Sequence, residues 1–392
     1  EILQLIREMR WLMRLGVEIP ENAKMVLLQE QKFKYYNNQL WHILREYDRI
    51  VQMVKRDTKN LLAPHLLDLE KKLEPGYTLL TWTSMNIDVY LKQVYKGLYK
   101  FEDLIRKIND IIDSRVQKNL KAISKTLLID LSVPENFSLE EFVERQQKLI
   151  ASHSRVMNIK NIEVEKAVND IVHIVSTYQL DDTTIVHESL AEGIKLKRNF
   201  YDMMTRALLS NTIISLRALK KRVGHRTTTD HDDDDSPFFQ MNVELMIPKV
   251  TLNPSFDEVQ EAMDRSAMTV LSCSKHLRVW SEGFEDTETE QTFHDFIAAD
   301  SGVVKMVLVL TGGLHGLKTQ VNNFLKEFDK YAFLWKNDKQ DEYEKFKKSC
   351  PNNKPSLDDF EDKLKEYVNL EKEMTIIPSS KTIGTICLQM DK

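Results

Sequence analysis

FKYYNNQLWHILREYDRIVQMV, residues Phe33 to Val54, places its apolar side chains at Phe33, Tyr36, Leu40, Ile43, Tyr47, Ile50 and Val54. The intervals alternate between three and four residues without a slip. Residues three and four apart share one face of a helix, so this stretch predicts a long helix with a continuous apolar stripe. The pattern restarts at Ile87, Leu91, Val94, Leu98, Phe101, Ile105, Ile108, Ile112 and Val116, and again at Val321, Leu325, Phe328, Ala332 and Trp335. Repeated stripes of this length predict an all-α chain. The expected architecture is an elongated stack of consecutive antiparallel helical bundles, with at most a short strand near the C-terminus.

Composition agrees. Among 392 residues there are only 11 glycines and 10 prolines, fewer than a sheet with phosphate-binding loops would use. Apolar residues make up 42%, enough for a sizeable core, and charged residues 29%, as long helices with solvated outer faces require. The net charge of -5 argues against a nucleic-acid partner. Cys273, Cys350 and Cys387 are odd in number and far apart, which suggests reduced thiols in a cytosolic protein. No apolar run approaches the ~20 residues of a bilayer span, so membrane insertion is not expected. The opening Glu1-Ile2-Leu3-Gln4-Leu5-Ile6 is already amphipathic and carries no signal-peptide pattern, and the expectation is a piece of something longer.

Breaks in the pattern set the expected organisation. Gly16 and Pro20 end a first helix. A second is expected from about 21 to 62 with an interruption at Pro64, and Pro75-Gly76 reads as a turn in which glycine permits a tight bend. Thr83 or Ser84 can cap the next helix, which is expected to reach about Leu128. Further helices are expected at 138–156, with capping-box spacing at Ser138 and Glu141, and at 162–178 and 184–223. Residues 225–254 break the composition: Asp230-His231-Asp232-Asp233-Asp234-Asp235 reads as an acidic, flexible loop, and 242–250 as extended. Helices then follow at 255–283, 288–336, 338–349 and 356–375. Ser255 with Glu258, and Ser356 with Asp359, have capping-box spacing. A short strand is expected over 381–388. The domain expectation is a helical block at 1–224, the connector at 225–254, and a second block at 255–392.

Several segments invite a site and carry a plainer reading. Four consecutive aspartates beside His231 lack the turn glycine and ligand spacing of a calcium loop. Thr311-Gly312-Gly313-Leu314-His315-Gly316-Leu317-Lys318-Thr319 resembles a phosphate loop, but Leu317 separates the last glycine from Lys318. Apolar residues continue at helical spacing on both sides, so close helix packing through small residues is expected there. His42, His65 and His173 read as ordinary helix histidines, and the basic cluster around Lys220 as a helix terminus. Trp11, Trp41, Trp82, Trp280 and Trp335 read first as core anchors, with one or two of them capping an interface as the alternative. Tyr35, Leu44, Tyr90 and Tyr95, off the main stripe, are candidates for a second contact face. No catalytic, cofactor-binding or metal-binding residue is assigned.

Pro75-Gly76-Tyr77-Thr78-Leu79-Leu80-Thr81-Trp82-Thr83-Ser84 resembles the PGLxxLTW signature of dynein heavy-chain tails. Tyr77 stands where leucine is more frequent. Ile108-Asn109-Asp110-Ile111 with Arg115, Val250 to Val259, Phe328 to Trp335, and Leu357 to Glu361 resemble further stretches of that tail, in the same order and along essentially the whole chain. The pattern is most similar to axonemal heavy chains, with an outer-arm member as the narrower expectation. The resemblance implies a structural and docking segment of a motor's tail. Its implied partners are other heavy-chain tails, intermediate chains, light chains and docking factors on the doublet microtubule, in the axoneme of a cilium or flagellum. ATP and Mg are implied only for a motor domain elsewhere. No GxxxxGK[ST] occurs in this sequence, so no catalysis is expected of the segment itself. A stand-alone helical adaptor and an enzyme with a site between bundles are the competing readings.

Overall fold

The computed structural model describes residues 2–132, 139–181, 189–223, 237–245, 249–281, 283, 291–334 and 338–390. Its helices are α1 (Ile2–Arg14), α2 (Glu21–Leu28), α3 (Glu30–Gln52), α4 (Lys59–Leu73), α5 (Pro75–Thr78), α6 (Ile87–Ile111), α7 (Lys118–Lys125), α8 (Leu139–Thr177), α9 (Ser189–Val223), α10 (Phe256–Ser272), α11 (Phe293–Ala299), α12 (Ser301–Lys326), α13 (Lys339–Ser349) and α14 (Leu357–Ile376). Four short strands, β1 (Phe239–Glu244), β2 (Thr251–Asn253), β3 (Ser380–Ile383) and β4 (Ile386–Met390), complete it. The all-α expectation therefore stands, with one small sheet added. No single helix among the described residues is long and apolar enough to cross a membrane.

Contacts group the chain into two compact units: residues 1–120, 160–204 and 280–287, and residues 121–159, 205–279 and 288–392. The units interleave along the chain, whereas the sequence reading placed one boundary at 225–254. The acidic run 230–235, Gly224, Pro134, Ser138 and Trp335 lie outside the described residues.

In the first unit, α6 supplies the central stripe. Ile87, Leu91, Val94, Leu98, Phe101, Ile105 and Ile108 are all buried, and Ile112 and Val116 extend the row through a π-helical turn at Ile112–Gln117. α3 and α4 pack on α6. α3 contributes Phe33, Tyr36, Ile43 and Ile50, so the opening heptad seam is a core seam. The chain does not break at Pro64. That residue lies inside α4 among the buried Leu61, Leu62, His65 and Leu69, whose packing holds the helix together without Pro64's backbone donor. The break falls earlier, where Lys55 turns extended (φ -72°, ψ 151°) between α3 and α4. Pro75 starts the single turn α5 at N1. Gly76 does not have positive φ; it is needed because a Cβ there would run into the Tyr90 hydroxyl. Asn86, not Thr83 or Ser84, precedes α6. At the N-terminal end, Ile6, Met9, Ile19 and Phe33 form a small core, with Trp82 edge-on to Phe33 at 6.2 Å.

The two helices expected at 138–156 and 162–178 are one, α8, because the intervening Met157-Asn158-Ile159-Lys160 contains no glycine or proline to stop it.

In the second unit, the capping box at Ser255 and Glu258 starts α10, and that at Ser356 and Asp359 starts α14. The single helix expected over 288–336 is divided. The Asp300 side chain accepts from the amides of Gly302 and Val303, which caps α12 and ends α11. α12 then stops at Lys326, and Asp329–Leu334 is a 3-10 turn, so the third seam is helical only in its first part. The sheet has order β2-β1-β4-β3. β1 runs antiparallel to β2 and parallel to β4, pairing Phe239 with Ile386 and Val243 with Met390. β3 and β4 form a hairpin closed at Gly384, whose φ is +60°. Phe142 stacks edge-on against Phe238 and Phe239 at 5.1 and 5.5 Å, which fixes the start of β1.

Candidate functional site

The described residues contain no group of three or more His, Cys, Asp or Glu side chains placed to hold a metal ion. Clefts among the described residues include open grooves beside α10 and α13 and a cavity of about 20 Å³ near His65, the last with room for no more than a water molecule. Two polar networks pin segments of the first unit, one between α8 and α9 and the other at the end of α8.

The first is built around Trp280. Its ring is 4% exposed, and Nε1–H donates to Asn161 Oδ1 on α8 at 2.8 Å. Tyr201 of α9 meets it edge-on at 5.8 Å. Next to it the buried Lys197 of α9 pairs with Glu165 of α8 at 3.0 Å and donates to Ser281 Oγ at 3.0 Å and the Gly283 carbonyl at 2.7 Å. An ammonium at such depth is retained only when its hydrogen bonds are filled. These bonds fix Trp280, Ser281 and Gly283 against α8 and α9. The expected helix over 255–283 gives way at Cys273–His276 and becomes extended at Leu277, which frees Trp280 to make this contact.

The second pin holds the end of α8 against α4 and α6. Asp181 accepts from Lys72 at 2.8 Å and from Lys100 at 2.9 Å. Hydrogen bonding to Lys72, and then to Lys100, lowers its carboxyl to about 2. Burial works against the Lys72 ammonium, but the bonds to Asp181 and Asp68 outweigh it and raise its pKa. Tyr178 adds a bond from its hydroxyl to the Lys100 carbonyl at 2.7 Å. Neither pin had a signal in the sequence, because each joins residues more than 70 positions apart and a lone Lys in a helix has no distinguishing spacing.

The tempting segments resolve individually. Thr311 to Thr319 is helical, and Lys318 is paired with Asp257 of α10, so no loop cradles a phosphate there. The expected close packing at this segment is corrected: among the described residues nothing lies within 4 Å of where a Cβ at Gly312, Gly313 or Gly316 would stand. The Arg222 guanidinium lies over Phe238 at 5.5 Å, as part of the helix terminus expected around Lys220. His65 is buried with Nε2 3.3 Å from the Tyr178 carbonyl; His42 is exposed beside Tyr95, and His173 is exposed. Cys273, Cys350 and Cys387 are free thiols, and burial pushes Cys273 up to about 12.

Of the four candidates for a second contact face, Tyr90 is corrected to core. It is 8% exposed and its hydroxyl donates to the Leu73 carbonyl at 3.2 Å. Tyr95 is half-buried and donates to Gln39 Oε1 at 2.7 Å. Tyr35 and Leu44 are exposed, but on opposite flanks of the buried stripe of α3, so the four do not form one face. Trp280 and Trp82 are anchors, whereas Trp11 and Trp41 are 61% and 57% exposed.

Comparison with known proteins adds the family. Residues 1–90 match the family described as dynein heavy chain, N-terminal region 1. The dynein gamma chain of the flagellar outer arm of Chlamydomonas reinhardtii is 40% identical over 389 residues, which is 99% of this chain and 8% of that protein. Dynein axonemal heavy chain 8 of Mus musculus is 25% identical over 469 residues, all of this chain and 10% of that protein. The dynein-1-alpha heavy chain of the Chlamydomonas reinhardtii inner arm I1 complex is 26% identical over 397 residues, 96% of this chain and 8% of that protein. The chain thus spans a tenth or less of the length of each of these three relatives. Along its length the chain is similar to axonemal dynein heavy chains, and its residues 1–90 match the N-terminal region 1 of that family.

Proposed function

We propose that this chain is a non-catalytic structural and docking segment of an axonemal dynein heavy-chain tail, supporting assembly of the arm and carrying force between the motor ring and the doublet microtubule. The observation that carries this reading is the 40% identity, along 99% of the chain, to a flagellar outer-arm heavy chain. The internal chemistry supports it: the buried ion pair and hydrogen bonds around Lys197 and Trp280 hold helices together. Its partners are then other heavy-chain tails, intermediate and light chains, and docking factors on the doublet. ATP and Mg belong to a motor domain elsewhere in such a chain, and the place of work is the axoneme.

The test excises residues 1–392 from the full-length heavy chain and follows arm incorporation by electron microscopy of axonemes, with ATPase turnover measured on the extracted motor. Turnover retained and arms lost is the expected result. Arms incorporated at normal density overturn the assembly role. Nucleotide turnover by the isolated 392-residue chain that persists through purification overturns the non-catalytic reading.

A further inference from the structure

Helix α12 buries one face and leaves the other uncovered. Leu310, Leu314, Leu317, Val321 and Phe324 point inward. On the other side Val304, Leu308 and Val309 are 43%, 66% and 47% exposed. Four-residue spacing places Val304, Leu308, Gly312 and Gly316 in one row and Lys305, Val309 and Gly313 in the next. Glycine inside a helix weakens it relative to alanine. Gly76, Gly97, Gly302 and Gly384 each have a side chain pressed against the place a Cβ would occupy. Gly312, Gly313 and Gly316 have open space and no positive φ. Nothing among the described residues compensates for them.

The charge on this helix is one-sided. From Ser301 to Lys326 there is no aspartate or glutamate. Lys318 is paired with Asp257, in the cleft that Glu261 and Asp264 of α10 also line, on the Leu314 side of the helix. Lys305 stands in the open rows and makes no ion pair among the described residues.

We propose that this face of α12 docks an amphipathic helix of a partner chain, with large apolar residues seated over Gly312 and Gly316 and a carboxylate opposite Lys305. The absence of acidic residues on α12 selects an acidic partner. The bare glycines select a helix over a lipid surface: a bilayer rewards inserted apolar area, which glycine lacks, whereas a helix gains when glycine rows let two backbones approach and their ridges interdigitate. The inference rests on the docking role proposed above and names the surface and the chemistry of its occupant.

The test uses the 392-residue chain and two labelled synthetic helices of about three heptads, with the same leucine face and either Glu or Lys at the flanking positions. Binding is read by fluorescence anisotropy and mapped by hydrogen exchange. The Glu peptide is expected to bind about tenfold tighter than the Lys peptide and to protect residues 304–316. K305E should reverse that preference, and G312L/G316L should remove binding. G312A/G316A, which suits an open helix, should raise Tm while weakening the Glu peptide, so a misfolded leucine variant leaves the result readable. Equal binding of both peptides, a Glu preference that survives K305E, or protection elsewhere overturns the proposal. So does stronger protection of 304–316 by phosphatidylserine vesicles, which makes the occupant a lipid surface. A dimer in sedimentation that G312L/G316L dissociates makes it a second copy and overturns the proposal as well. Loss of arms on excision combined with indifferent peptide binding overturns this docking and leaves the tail role standing.

Discussion

Trp280→Ala is the most informative perturbation of the first unit. The ring is 4% exposed, edge-on to Tyr201 at 5.8 Å, and bonded to Asn161 at 2.8 Å. Truncating a buried Trp to Ala costs about 3–5 kcal/mol. The lost bond to a buried amide adds about 1 kcal/mol, for a total near 4–6 kcal/mol. Trp280→Phe keeps most of the apolar area and should cost about 1–3 kcal/mol, from the bond and the smaller ring. Urea unfolding followed by far-UV circular dichroism reads the change. With an m-value of about 2–3 kcal/mol/M, Trp280→Ala should lower the midpoint of this unit by about 2 M. Hydrogen exchange localises it: the amides of residues 160–177 and 189–204 should lose protection first. A Trp280→Phe/Asn161→Ala cycle should show a coupling of about 1 kcal/mol. A Trp280→Ala penalty below about 1 kcal/mol, or lost protection outside α8 and α9, would refute the claim that this side chain pins its own segment against those helices.

Four further outcomes are expected. Lys197→Met should destabilise by about 3 kcal/mol in the same urea assay, since it strips Glu165, Ser281 and Gly283 of their shared donor. Asp181 has its carboxyl lowered to about 2, so its contribution is present above the ordinary Asp range near 4 and is lost as pH falls towards 2. Asp181→Asn should flatten that acid limb and cost less than about 1 kcal/mol at neutral pH, because the carboxylate is 44% exposed. Cys387, half-exposed, should react with a thiol reagent at pH 8 before Cys273, whose thiol should label only as the protein unfolds. Gly76→Ala should lower Tm through overpacking worth about 1–3 kcal/mol, and Tyr90→Phe in the same chain should recover part of it by removing the nearest of the clashing atoms, the ring carbon Cζ remaining.

How much of this was legible in the sequence follows from how local each interaction is. The stripe from Ile87 to Val116 reads directly as core because one helix face carries it. The capping boxes at Ser255 and Ser356 read directly because their partners are three residues away. Pro64 misleads because intrinsic propensity is a weak prior against tertiary burial of Leu61, Leu62 and Leu69. The cap at Asp300 is concealed because apolar residues continue on both sides of it and give the pattern of one uninterrupted helix. The parallel pairing of β1 with β4 joins residues 239–243 to 386–390, and short strands so far apart leave no common periodicity. The same limit hid both pins. Tyr90 was misplaced for a related reason: off-stripe position does not separate a second packed face from a solvent face.

The glycines sort the chain's surfaces by a criterion that does not depend on periodicity. Where a glycine is forced, its neighbour is visible: Tyr90 over Gly76, Lys72 and Leu69 over Gly97, Leu317 over Gly384. At Gly76 and Gly384, where the approach is closest, an added methyl should destabilise the isolated chain. At Gly312, Gly313 and Gly316 no neighbour is present among the described residues, so alanine should stabilise the isolated chain by about 0.8–1 kcal/mol per site. Local structure alone would therefore favour alanine at the three open positions. Retaining glycine there is consistent with a contact made only in an assembly, and the sign of the alanine effect measures this directly. If single alanine substitutions at these three positions lower Tm, intrachain packing explains the glycines and α12 has no reason to await a partner.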